Sequence, residues 1–337
     1  MSKPEAAAVI LWIGATLYAV FGGADFGAGV WDLLAGKGER GVRARARIDR
    51  SIAPVWEANH VWLIFILVVL WTAFPSAFFA VMTTLYIPIA IAAVGIVLRG
   101  SGFAFRHAIE TRLTDPATKV FAVSSLLTPF FMGVVVGAVA SGQVPADGEG
   151  DPTGSWIGFL PLVTGVLFVA GGAYLAAVFL THDARAAGGE EMTEYFRRRA
   201  LGTAMLAGAV AVIGIFALRE EAEFVYDGLV GPGLPLVILS GVCGLAALLL
   251  LARDSTTGVR PLAVGAFVAV IWGWFVAQHP YLLPTSLTID EAAGASATLT
   301  VVIVVFGIAA ITVLPSLGLL YVLSQRALLS DDKPLSE

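Results

Sequence analysis

The chain has 337 residues, of which only 13% are charged and 58% hydrophobic, and its mean hydropathy is +0.86. An ordinary soluble domain carries roughly 25% charged residues, so the composition excludes a water-soluble globule and a disordered chain and points to a multi-span membrane protein. A net charge of −5 leaves no basic excess for nucleic acid, and the single Cys243 excludes an internal disulfide, a multi-cysteine metal or iron–sulfur site and a CxxCH haem attachment.

A bilayer core about 30 Å thick takes about 20 apolar helical residues. Nine predominantly apolar runs meet that length approximately: 6–28, 54–75, 77–98, 120–141, 156–180, 200–218, 233–252, 261–277 and 297–323. They predict an all-α polytopic protein, one integral membrane domain over 1–337. Period-two alternation is absent, which argues against a β-barrel. The 37 glycines suit close helix approach in lipid. Only Phe74, Pro75 and Ser76 separate the second run from the third, as a tight turn. The segment 141–155 is short, acidic and rich in Gly and Pro, and reads as a connector.

Basic residues set the orientation. Every Lys and Arg except Lys3 and Arg219 falls in an odd-numbered loop or the C-terminal tail. The first such loop holds Lys37, Arg40, Arg43, Arg45, Arg47 and Arg50. The N-terminus is therefore expected outside and the C-terminus in the cytoplasm of a bacterial plasma membrane. Lys3 ahead of an apolar run also fits a secretory leader. Cleavage would strand the basic segment 37–50 outside, so that reading is set aside.

Inside the nine runs the acidic residues are Asp25 and Glu57, with His60 one turn beyond Glu57. An intramembrane carboxylate costs about 2.5–3.5 kcal/mol on insertion scales and marks function by default. The first run goes inward and the second outward, so Asp25 and Glu57 fall at one cytoplasmic-side depth. Glu57 and His60, at i and i+3, share a helix face. Two carboxylates and an imidazole near one water face can pass protons inward by stepwise hydrogen bonding. A structural reading stands beside this. Asp25 sits among Gly22, Gly23, Gly27 and Gly29 at a helix break, Glu57 follows Pro54 and can stabilise a helix N-terminus, and His60 can be a satisfied core residue.

Around Glu57 stand Trp56, Asn59 and Trp62, which as aromatics at a span end fit an interfacial belt, and Arg99 closes the third run as a basic anchor. His107, His182 and His279 lie in loops or at span ends. A haem needs axial ligands at depth. His60 alone among the histidines has that depth, with Met82 and Met132 the weaker candidates, so no metal or haem site is expected in this chain.

The run Gly23-Ala24-Asp25-Phe26-Gly27-Ala28-Gly29, the basic loop, and Ala53-Pro54-Val55-Trp56-Glu57-Ala58-Asn59-His60-Val61-Trp62-Leu63 resemble subunit II of the cytochrome bd-type quinol oxidases. Leu98-Arg99 with Gly102, Phe103 and Arg106 resembles the family's next block. The specific likeness covers about the first 110 residues. It implies two four-helix bundles plus a peripheral helix, in a heterodimer with a related haem-bearing subunit I. That partner would carry haems b and d, the quinol-oxidising loop and the oxygen-reducing site. This chain would bind no cofactor alone, though some members hold a quinone or lipid, and a small accessory subunit is allowed. The acids matching Asp25 and Glu57 would line a proton path from the cytoplasm, with His60 beside them. Trp56, Asn59, Trp62 and Arg99 would support the path or face the partner. The family commonly has Asp where Glu57 stands, Gly at Ala58 and Gln or Glu at His60, which indicates a divergent branch.

The competing class is a stand-alone proton-coupled transporter, which the Gly-rich break near Asp25 fits weakly. Against it, both acids lie at one side rather than at the midplane, and the second half carries no in-span ionisable residue.

Overall fold

The computed structural model describes residues 1–52, 56–108 and 116–325. The first crossing is one long rod in three pieces. Ser2 caps α1 (Lys3–Leu17), accepting from the Glu5 N–H while the Glu5 carboxylate accepts from the Ser2 N–H. A π-helical turn, Tyr18–Gly22, then leads without a break into α2 (Gly23–Leu33). The candidate span is Lys3–Leu33, longer than the expected 6–28. The helix therefore still runs at Asp32, a buried acid that the apolar run did not include.

The amphipathic α3 (Glu39–Ile52) turns Ala44 and Ile48 inward, keeps Arg40, Arg43 and Arg50 outward and directs Arg45 toward α2. The next region departs most from expectation. Helix α4 (Trp56–Ala73) ends at Phe74, and Pro75 opens α5 (Pro75–Thr84), with the two bent by 117°. The turn lies where the sequence places it. The following run is not one straight span, however. It breaks again at Leu85, and the helix that continues is α6 (Tyr86–Ala108). A proline at a helix start lacks the N–H that would continue the previous ladder, which makes the first break sharp.

After α7 (Pro116–Ala140) come α8 (Phe159–Ala186), α9 (Glu190–Glu221), the short α10 (Glu223–Val230), α11 (Leu234–Ala252) and α12 (Val259–Gln278). The all-helical expectation then meets one exception, an antiparallel hairpin of β1 (Tyr281–Leu283) and β2 (Leu287–Thr288). Thr288 caps the single turn α13 (Ile289–Ala292), and α14 (Ser296–Gln325) closes the described chain. Among the described residues seven helices are long and apolar enough to cross a membrane, or eight with the bent α4–α5 pair counted as one. Tyr86–Gly102 is a shorter apolar helix, so the difference from nine runs lies in the region 56–102.

Helix α8 is central, packing on α2, α7, α9 and α12. The approach of α2 is close enough to need glycine on both sides. A Cβ on Gly27 would stand 2.0 Å from the Gly172 carbonyl oxygen, and one on Gly172 would stand 2.6 Å from that of Gly23. One buried cluster joins α2, α8, α9, α11 and α12. A second joins α1, α4, α5, the end of α7, the hairpin and α14.

Candidate functional site

Asp25 sits in the first turn of α2, just past the π-helical turn, and is 4% exposed. A π turn inserts an extra residue into the ladder and commonly marks a functional position. Here it lets Tyr18 fold over Gly22, whose missing side chain leaves room for the ring. A carboxylate at this depth needs a counter-charge, and it comes from α6. Arg99, 2% exposed, donates from Nη2 to Asp25 Oδ1 at 2.8 Å and to the Asp25 backbone carbonyl at 3.0 Å. Its Nη1 donates to Ser125 Oγ of α7, which in turn donates to the Phe121 carbonyl at 2.6 Å.

The rings of Phe26 and Phe121 lie 4.8 and 4.5 Å from the Arg99 guanidinium carbon. Stacking of this kind adds cation–π attraction in a dry site. Two glycines make the space. A Cβ on Gly29 would collide with Ser125 Oγ, and one on Gly95 with Thr128 Oγ1. Asp25 Oδ2, Arg99 Nε and Thr128 Oγ1 are buried and have no hydrogen-bond partner among the described residues. Buried polar atoms of this kind are where ordered water is expected.

Arg99, expected as a basic anchor at a span end or as a residue that supports the path or faces the partner, is buried inside this chain as the counter-ion of Asp25. His60 of α4 is brought to the same place. Its ring stands edge-on to Phe26 at 5.8 Å and to Tyr18 at 6.4 Å. The Tyr18 hydroxyl reaches Met132 Sδ at 3.8 Å. Asn59 and Trp62 are half-buried, and Trp62 packs edge-on to Phe65 at 6.1 Å. Trp56 and Glu57 belong to the first turn of α4, and their side chains lie outside the described residues. The predicted pairing of Glu57 with Asp25 therefore falls there too, as do Arg106 and His107. Among the described residues no group of three His, Cys, Asp or Glu could hold a metal ion.

The sequence reading missed two features. Asp32 is buried at the far end of α2 and lies 2.9 Å from Arg45 Nε of α3. Its signal was present, since Asp25 and Asp32 are two turns apart on one helix face. The hydroxyl series Ser124, Ser125 and Thr128, all buried on α7, was also legible as polar residues recurring at helical spacing in an apolar run.

Comparison with known proteins gives consistent matches. The family described as cytochrome bd terminal oxidase subunit II matches residues 4–324. The chain is similar to a Bacillus subtilis (strain 168) protein named putative cytochrome bd menaquinol oxidase subunit II, 26% identical over 231 residues. That match covers 65% of this chain and 64% of the relative, so it spans less than two thirds of the relative's length. A second protein of that organism, cytochrome bd ubiquinol oxidase subunit 2, is 24% identical over 306 residues, covering 87% of this chain and 86% of its own. Among solved structures, a chain of the bd oxidase from Geobacillus thermodenitrificans is similar with a TM-score of 0.80 at 26% identity. The alignment covers 95% of this chain and 98% of that one.

Proposed function

Because the chain belongs to the cytochrome bd terminal oxidase subunit II family, we propose that it is the haem-free second subunit of a quinol-oxidising, oxygen-reducing complex in a bacterial inner membrane. Its partner is a haem-bearing subunit I, which supplies the redox chemistry. In this reading the chain crosses the bilayer nine times as a single membrane domain, arranged as two four-helix bundles and a peripheral helix. Its N-terminus is outside and its C-terminus in the cytoplasm.

The chain's own work is to stabilise the partner and to bring protons in. Reduction of O₂ to water consumes protons, and a site enclosed by lipid cannot draw them through hydrocarbon. Glu57, Asp25 and His60 supply the titrating groups at the cytoplasmic mouth. Arg99 holds Asp25 in one orientation, with Oδ1 engaged and Oδ2 left to accept from water. Asn59 and Trp62 lie half-buried on the same helix as His60 and support that entrance, a role the resemblance also gives Trp56.

The observation that carries this reading is the buried Asp25–Arg99 pair with the His60 ring against Phe26. A proton-coupled transporter would place its ionisable groups at the midplane of two repeats, and the family match does not favour it. Purification of the tagged chain from membranes tests the assignment. Stoichiometric co-purification of one haem-bearing multi-span partner, with quinol oxidase activity, is expected. A chain that purifies alone, without haem absorbance, and drives proton-coupled solute uptake in vesicles would support the transporter instead.

A further inference from the structure

A second cluster of charges lies apart from Asp25, where α2, α3 and α9 meet. Tyr195 of α9 is 6% exposed, and its hydroxyl has no hydrogen-bond partner among the described residues. Two guanidiniums stand over its ring, Arg199 at 3.4 Å and Arg40 at 5.6 Å from the centroid. Arg199 also lies 5.6 Å from the Trp31 ring. Its guanidinium donates to the Tyr195 backbone carbonyl at 3.1 Å and meets no carboxylate among the described residues.

Nearby, the Glu191 carboxylate serves two arginines at once, Arg40 at 3.4 Å and Arg43 at 3.0 Å. Arg43 reaches a second acid, Glu39, at 3.9 Å, but that carboxylate is almost wholly in solvent. Positive charge therefore exceeds negative charge at a place where Arg199 is half-buried. An anion with several acceptor oxygens satisfies the unneutralised Arg199 guanidinium and relieves two arginines that share one carboxylate.

The surroundings indicate what carries that anion. Leu33 and Leu34 at the end of α2 and Val42 on α3 are exposed apolar side chains in the same stretch of chain as the arginines. Arg40 and Arg43 lie on α3 and Arg199 near the start of α9, on the basic side, the side that faces anionic lipid under the positive-inside rule. A headgroup phosphate with attached acyl chains matches both the charge and the apolar rim.

We propose that Arg199, with Arg40 and Arg43, holds the phosphate of an anionic phospholipid at the junction of α2, α3 and α9. The inference does not depend on the oxidase reading.

The test uses the full chain purified in detergent with whatever partner accompanies it. Thermal unfolding is followed by tryptophan fluorescence after addition of phosphatidylglycerol, phosphatidylcholine or inorganic phosphate. Phosphatidylglycerol is expected to raise the midpoint by several degrees and phosphatidylcholine to leave it unchanged. In the Arg40→Gln/Arg199→Gln double variant that rise should disappear, while Arg40→Lys/Arg199→Lys, which keeps the charge, should retain part of it. Should the double glutamine variant not assemble, Arg40→Gln alone should lose a measurable part of the rise. A rise as large in the glutamine variants as in the parent would overturn the site. The full rise from inorganic phosphate alone would overturn the lipid as its source.

Discussion

Arg99 grips Asp25 twice, once through the side-chain oxygen at 2.8 Å and once through the backbone carbonyl at 3.0 Å. The second contact matters because it comes from the same nitrogen. It ties the guanidinium of α6 to the turn of α2 that carries the carboxylate, so the two helices are registered by one side chain.

Removing either partner leaves a buried charge uncompensated, which typically costs about 3–5 kcal/mol. Asp25→Asn and Arg99→Gln should each lower the yield and thermal midpoint of the purified protein. The double variant Asp25→Asn/Arg99→Gln should be more stable than Arg99→Gln alone, because no isolated charge remains. Midpoints of the three proteins in one detergent decide this, and strictly additive losses would contradict it.

Helix α2 can approach α8 only without side chains between them. Gly27→Ala puts a methyl group 2.0 Å from the Gly172 carbonyl oxygen. Neither backbone can rotate away, so the helices must separate, at about 1–3 kcal/mol or more for overpacking of this kind. Gly100 has open space around it, and Gly100→Ala should be silent by comparison. Thermal midpoints of the two variants provide the check.

The sidedness of the chain is open to direct labelling. In a Cys243→Ser background, single cysteines placed within 37–50 should resist a membrane-impermeant maleimide in intact cells and react after lysis. Reaction in intact cells would reverse the orientation inferred from the basic residues.

How much of this was legible in the sequence depends on the element. The apolar runs located the first crossing and α7, α8, α9, α11, α12 and α14, because apolar length alone defines a crossing. The region 56–102 was only half legible. Phe74-Pro75 announced the first break, and Pro88, which cannot donate to the Thr84 carbonyl, was the unread signal of the second at Leu85. Asp25 was found from its charge. The pairing of Arg99 with Asp25 was not legible because a basic residue at the end of an apolar run looks the same whether it snorkels to water or turns inward to an acid. Its partner lies 74 residues away, and only the fold brings them together. The extension of α2 to Asp32 was missed despite the two-turn spacing from Asp25, since a charge ends an apolar run whether or not an arginine such as Arg45 neutralises it.

A chain without paired axial ligands should bind no haem by itself. Expressed without a partner, it should show no haem-type Soret band. A band that vanishes on His60→Gln would contradict this and would make His60 a ligand.

The central claim is that Asp25 and Glu57 carry protons toward oxygen reduction in the partner. The direct measurement is the oxidase rate per haem in the purified complex carrying Glu57→Gln, which keeps shape and hydrogen bonding but removes the titrating proton. The rate should fall by roughly 100-fold, within the range associated with a lost proton-transfer group, with haem content unchanged. Glu57→Asp should be tolerated, and His60→Gln should cost less than Glu57→Gln. Full activity per haem in both Asp25→Asn and Glu57→Gln would contradict the proton path and leave these residues a structural role only.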